Sequence, residues 1–185
     1  MNLKFDEAKT TQMAARLLQR QQGTMNYMKL LKLLYFVDRE ALSRWNRPVS
    51  FDRYYSLPHG QVLSNTLNLI SEGVPPGDAA KSYWLQHISA PAGYDIQLKS
   101  EVASDKLSKA EVALIEEIFD RYGKYDQWEL EKLHHELPEY IDPEGSRVRI
   151  EYQDILKALG KTDAQISAVL QELEHLEFTQ AILGK

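Results

Sequence analysis

The chain has 185 residues, 43% of them hydrophobic and 26% charged, with no cysteine and a net charge of −5. That is the size and composition of one soluble domain with its own core; it excludes a disulfide framework and any thiolate metal site, and no apolar run approaches the roughly 18 residues that would span a bilayer. The N-terminal stretch has no apolar segment of the secretory kind, so a cytoplasmic location is expected.

In chain order, Met13, Ala14, Leu17 and Leu18 recur at helical spacing between Asp6 and Gln21, and Gly23 stops the segment. Lys9, Arg16 and Arg20 share its polar face. Asn26 is an N-cap candidate for YMKLLKLLYFVDREALSRW, in which Leu30, Leu31, Leu33, Leu34, Tyr35, Phe36 and Val37 cover almost every direction. A helix apolar all round is a buried one, so this segment, ending at Trp45, is predicted to be the central element. FDRYYSLPHGQV follows at residues 51–62, and Pro58 and Gly60 forbid regular structure through its end. A short strand and a turn are predicted there, then a brief helix in QVLSNTLNLI and a loop in SEGVPPGDAA.

SYWLQHI and YDIQL are rich in strand formers and are joined by SAPAG, which predicts a hairpin that could reach a third strand near Tyr54. Ser108 with Glu111 forms a capping box for a helix to Tyr122, ended by Gly123. Asp126 with Glu129 repeats the pattern for a helix to about Leu137, before Pro138. PEYIDPEGSR reads as a turn-rich connector, and residues 151–180 as a helical hairpin around Gly160, its second helix starting at Thr162 and Gln165. The predicted fold is therefore mainly α, an α+β single domain over residues 1–185: six or seven helices bundled around a buried central helix, with a small antiparallel β-sheet or hairpin inserted.

Charge is unevenly placed. Residues 1–50 hold nine Lys/Arg and four Asp/Glu, a balance of +5, whereas residues 51–185 hold thirteen and twenty-three, a balance of −10. Attraction between the two parts is the expectation, and a basic partner-binding face the alternative.

Groupings that would carry chemistry are missing. His134, His135 and Glu136 are consecutive on a predicted helix, where neighbours point about 100° apart and cannot share one ion. No G-x-S-x-G or phosphate-binding glycine loop occurs, and no metal or other cofactor is implied. The C-terminal hairpin does not suit DNA readout, because Asp163, Glu172, Glu174 and Glu177 give its second helix the wrong sign for phosphate. Tyr54, Tyr55, Pro58 and His59 combine apolar bodies with polar tips, which suits either a protein interface or cover for the edge of the central helix.

Three segments in this order, MKLLKLLYFVDREAL, the aromatic stretch ending in PHGQV, and LSKAEVALIEEIFDRYGKYDQWELEKLHHELPEY, resemble the Panacea domain of the SocA-like antitoxin family, over roughly residues 25–159. The family's leucine-lysine-leucine-leucine-tyrosine run is carried by Leu31, Lys32, Leu33, Leu34 and Tyr35. Its glycine-proline-valine turn corresponds to Gly60, Gln61 and Val62, its tyrosine-glycine helix end to Tyr122 and Gly123, and its leucine-threonine-histidine signature to Leu133, His134 and His135. Gln61 thus stands in place of the usual proline, which should loosen the turn by releasing a fixed φ. His134 stands in place of the usual threonine and removes a small hydroxyl with any contact it made.

The resemblance implies function by binding: an antitoxin of a bacterial or phage toxin–antitoxin pair, neutralising a cognate toxin, such as a small alarmone-synthetase-like enzyme, by direct protein contact. Direct DNA binding is not expected, since the stretch ahead of Met25 is too short for the DNA-binding domain that some relatives carry. The expected docking surface lies where the aromatic turn meets the central helix and the Trp128 helix: Lys29, Lys32, Asp38, Tyr54, Tyr55, His59, Gly60, Gln61, Trp128 and His135. The acidic face with Glu172 and Glu174 is a second possibility. Two other readings stay open, a proteolytic adaptor that would shorten its partner's half-life and an enzyme with a site around His59, His135 and Glu136.

Overall fold

The computed structural model describes residues 4–73 and 81–183. The first helix, α1 (Glu7–Arg20), starts where the Asp6 carboxylate accepts a hydrogen bond from the Lys9 backbone N–H at 2.9 Å. Helix α2 (Tyr27–Trp45) starts at the predicted cap, Asn26 Oδ1 accepting from Met28 N at 2.9 Å, and ends at Asn46 in the left-handed conformation. Its apolar residues from Leu30 to Val37 are buried on every side, and α1, α5 (Lys109–Tyr122), α6 (Gln127–His135) and α7 (Tyr152–Ala158) pack around it. The central helix of the bundle is the one its hydrophobic pattern selects.

Both predicted capping boxes form, Ser108 with Glu111 and Asp126 with Glu129. Among the described residues the chain forms eight helices and two small antiparallel sheets, so the fold is mainly helical α+β. Its last helix, α8 (Asp163–Leu183), returns against α7 as the predicted hairpin, burying Val169 and Leu173 and exposing Glu172 and Glu174.

The strands depart from the prediction in four places. SYWLQH is not a strand but the short helix α4 (Tyr83–His87): Ser82 Oγ accepts from Leu85 N, and Glu7 of α1 draws in Ser82 Oγ at 2.6 Å and Trp84 N at 3.0 Å. A carboxylate at the start of the segment outweighs strand propensity. What survives of the predicted hairpin is a pair of bridges, Ile88 to Leu98 and Ala92 to Asp95, while β4 (Asp95–Gln97) pairs with β1 (Thr24–Asn26) and not near Tyr54.

The second sheet has the order β3-β2-β5: β2 (Tyr54–Leu57) lies between β3 (Gly60–Leu63) and β5 (Val148–Ile150), with Tyr54 opposite both Leu63 and Ile150. Gln61 to Leu63 is therefore a strand, and the helix that follows, α3 (Ser64–Ser71), begins at Ser64. Residues 148–150, next to the predicted connector, close the other edge. Most of the predicted loop SEGVPPGDAA falls outside the described residues.

The excess positive charge of the first fifty residues is neutralised within the molecule. Across the α1–α5 contact Lys9 pairs with Glu111 at 2.7 Å, Arg16 with Glu116 at 2.9 Å, and Arg20 with Glu116 and Asp120. On α2, Arg44 pairs with Glu117 at 2.6 Å and Arg39 with Glu139 at 2.6 Å. The exposed pairs set the register of the helices more than they stabilise, each contributing about 0–1 kcal/mol.

Candidate functional site

The first hairpin, β2 and β3, has two sides of different character. On its inner side a network of buried polar groups ties it to α2 and α6. Gly60 has φ +90°, and a side chain there would place Cβ 2.7 Å from Lys32 Nζ and 3.0 Å from His134 Cβ, so backbone conformation and space both demand glycine. Lys32 is 2% exposed and donates from Nζ to the Gln61 carbonyl at 3.2 Å. Burial pushes its ammonium down to about 7, against the upward pull of Glu131.

His134 is fully buried, with its ring 4.4 Å from that of Phe36 and 5.3 Å from that of Tyr35. Desolvation holds its pKa well below the ordinary histidine range, so the ring is neutral. Its Nε2 donates to the Lys32 carbonyl at 3.2 Å, which leaves Nδ1 as an acceptor; Gln61 Oε1 stands 2.9 Å away and is also an acceptor, so the amide has to be turned over to bring its otherwise unpartnered NH2 to the ring. The NH2 group of that amide is the partner a neutral ring in this tautomer requires.

Asp38 is completely buried and accepts from Val49 N at 2.8 Å, Ser50 N at 3.0 Å, Ser50 Oγ and the Tyr54 hydroxyl at 3.0 Å. Loss of water raises its carboxyl to about 6 even so. Tyr54 packs edge-on against Tyr35 at 5.5 Å and Tyr152 at 5.7 Å. Lys29 Nζ donates to the Gly123 carbonyl at 2.7 Å and to Gln21 Oε1 at 3.1 Å, closing the C-terminus of α5. Lys29, Lys32, Asp38, Tyr54, Gly60 and Gln61 thus lie inside the molecule and not on the surface expected for them. The cause is α2 itself: a helix buried on every side takes its polar residues inside with it.

Two members of this framework carry no motif in the sequence. Glu139 is buried, accepting from the Tyr35 hydroxyl at 3.0 Å and from Arg39 Nε at 2.6 Å. Asp52 accepts from Asn65 N at 2.8 Å and from Thr66 N at 3.0 Å, so it caps α3 from a distance. The available signal was Tyr35 itself, since a tyrosine on a buried helix needs a partner for its hydroxyl.

The outer side is a cluster of rings. The His59 side chain is 60% exposed, and its Nδ1 lies 3.1 Å from Glu131 Oε2. Trp128, 51% exposed, meets the His59 ring edge-on at 6.0 Å. His135 donates from Nε2 to the Pro58 carbonyl at 3.1 Å and stacks on Tyr140 at 4.4 Å. His59, Trp128 and His135 therefore come together around the turn as expected surface residues, joined by Glu131 and Tyr140. Tyr55 points to the opposite face of β2 from Tyr54, half-buried, with the Arg147 guanidinium 5.0 Å above its ring.

His134 and His135 face different surroundings, one the core and one the surface, and no group of histidine, aspartate and glutamate among the described residues could hold a metal ion. No helix among them is long and apolar enough to cross a membrane. Gln61 and His134, the two positions where the resemblance leads one to expect proline and threonine, meet each other in the core.

No curated protein and no solved structure matches the chain. A model of the antitoxin SocA-like family, the Panacea domain, matches residues 30–140, which contain most of α2 and all of the hairpin, α5 and α6. That match covers more than half of the 185 residues, and the chain belongs to the SocA-like antitoxin family.

Proposed function

We propose that this chain is an antitoxin that holds a cognate toxin inactive by direct protein contact in the cytoplasm, with no catalysis or cofactor of its own. Family membership over residues 30–140 carries the reading. The ring cluster around the Pro58–His59 turn supports a place for the contact. Trp128 and His59 offer large, stiff side chains with little rotamer freedom to lose, and such residues usually anchor an interface. Beneath them the bonds of Lys32, Gln61 and His134 fix the turn before any partner arrives, so little ordering is left to oppose binding. A toxin that acts on RNA or nucleotides carries a basic site, and the exposed Glu172 and Glu174 on α8 would steer such a partner toward the chain.

Co-expression with the product of the adjacent reading frame tests this. The chain should restore growth and leave the toxin's half-life unchanged; a shortened half-life identifies an adaptor instead of a blocker. The double variant His59→Ala, Trp128→Ala should lose rescue while its far-UV spectrum and melting temperature stay those of the parent, and retained rescue would move the contact elsewhere. Glu172→Lys with Glu174→Lys should slow association and reduce its salt dependence.

A further inference from the structure

Beside the ring cluster lies a cavity of about 200 Å³ between the start of α2 and the hairpin. Tyr27, Met28, Leu31, Leu57, Pro58, Val62 and Leu67 make its walls apolar, and Lys32, Gly60 and His59 complete the lining. Lys32 is the one lysine among these residues, and among the described residues its ammonium has a single hydrogen-bond acceptor, the Gln61 carbonyl. An ammonium can donate three such bonds, and a buried one left with donors to spare favours an anionic neighbour.

We propose that this cavity receives the acidic side chain of a partner protein, its methylene stem against the apolar walls and its carboxylate on Lys32 Nζ. The inference rests on the antitoxin reading for the existence of a partner, and on charge complementarity and size for its chemistry. A carboxylate supplies the acceptors that the Lys32 ammonium lacks, in a setting where a charge-assisted bond is strong. The volume is below the roughly 300–1,000 Å³ of ordinary small-molecule sites, and it suits one side chain better than a cofactor. Pro58 and His59 belong both to this cavity and to the turn that carries the exposed rings, so one partner surface would cover the two.

Sodium butyrate, a glutamate side chain together with its α-carbon, probes the pocket without any toxin. Titrated into the isotope-labelled full chain at about pH 6, where the Lys32 ammonium is charged, it should give saturable amide shifts confined to Leu31, Lys32, Gly60 and Val62, and n-butanol should bind about tenfold more weakly for want of the charge. Lys32→Met keeps the apolar stem and should abolish saturation; Leu67→Trp, which fills the cavity and leaves the lysine in place, should do the same. Both variants should also rescue growth poorly beside the toxin. Butyrate that binds nowhere in particular, or binds Lys32→Met as well as the parent, overturns the inference. So does butyrate binding that is lost in Lys32→Met while rescue is intact, which would assign the pocket to a free acid. Failure of the parent chain to rescue overturns the antitoxin reading and leaves the butyrate result standing.

Discussion

The two sides of the first hairpin contain the same kinds of residue put to opposite uses. Inside, Lys32, Asp38, Tyr54, Gln61 and His134 are buried, bonded to one another or to backbone, and fix the hairpin on the central helix. Outside, His59, Trp128 and His135 are exposed around the turn, His59 meeting Trp128 edge-on and His135 holding the Pro58 carbonyl. Removing an inner group leaves partners unpaired in a medium without water; removing an outer group returns its partners to solvent. The inner side should therefore answer to mutation in stability, with Lys32, which also lines the cavity, answering in partner binding as well, and the outer side in binding alone.

The largest break in that comparison is expected at Asp38. Asp38→Ala leaves the Val49 and Ser50 amides and the Ser50 and Tyr54 hydroxyls without their acceptor, and should cost about 3–5 kcal/mol in urea unfolding. Gly60→Ala should cost about 2 kcal/mol, since its Cβ meets Lys32 Nζ at 2.7 Å and its φ is +90°. Next comes the Gln61–His134 pair: each change to alanine should cost about 1–3 kcal/mol, and the double variant less than the two added, because each single change orphans the other residue.

Lys32 sharpens the comparison through pH. Its native pKa is lowered from 10.5 to about 7, so between those values the unfolded chain binds the proton that the native chain has released. Stability then rises with pH across that window and loses this contribution as pH falls toward 7. In Lys32→Met the rise measured between neutral pH and about pH 9.5 should be smaller than in the parent. The smallest stability effect belongs to the outer side, where His59→Ala and Trp128→Ala should each stay within about 0.5 kcal/mol of the parent.

How much of this was legible in the sequence follows the range of the interactions. Local signals were sufficient for the helices: the Asn26 cap, the Ser108–Glu111 and Asp126–Glu129 boxes and the all-round apolar face of α2 each act within a few residues. The failures are long-range. Glu7 makes Ser82 to His87 helical from more than seventy residues away, and residues 148–150 become a strand only because β2 offers an edge. Burial at the candidate site is a different case, set by a local signal. Reading α2 as buried on every side already implied that Lys29, Lys32 and Asp38 would be inside, yet residue type alone suggested contact residues. The charge imbalance, by contrast, translated directly into the ion pairs between α1 and α5.

On the proposed function, the chain works by covering another protein with the rings at the hairpin turn. The most direct measurement is the affinity of the purified chain for its toxin, with and without the His59→Ala, Trp128→Ala pair. A loss of about a hundredfold or more at unchanged melting temperature is the predicted result. Equal affinity with both rings removed would contradict it.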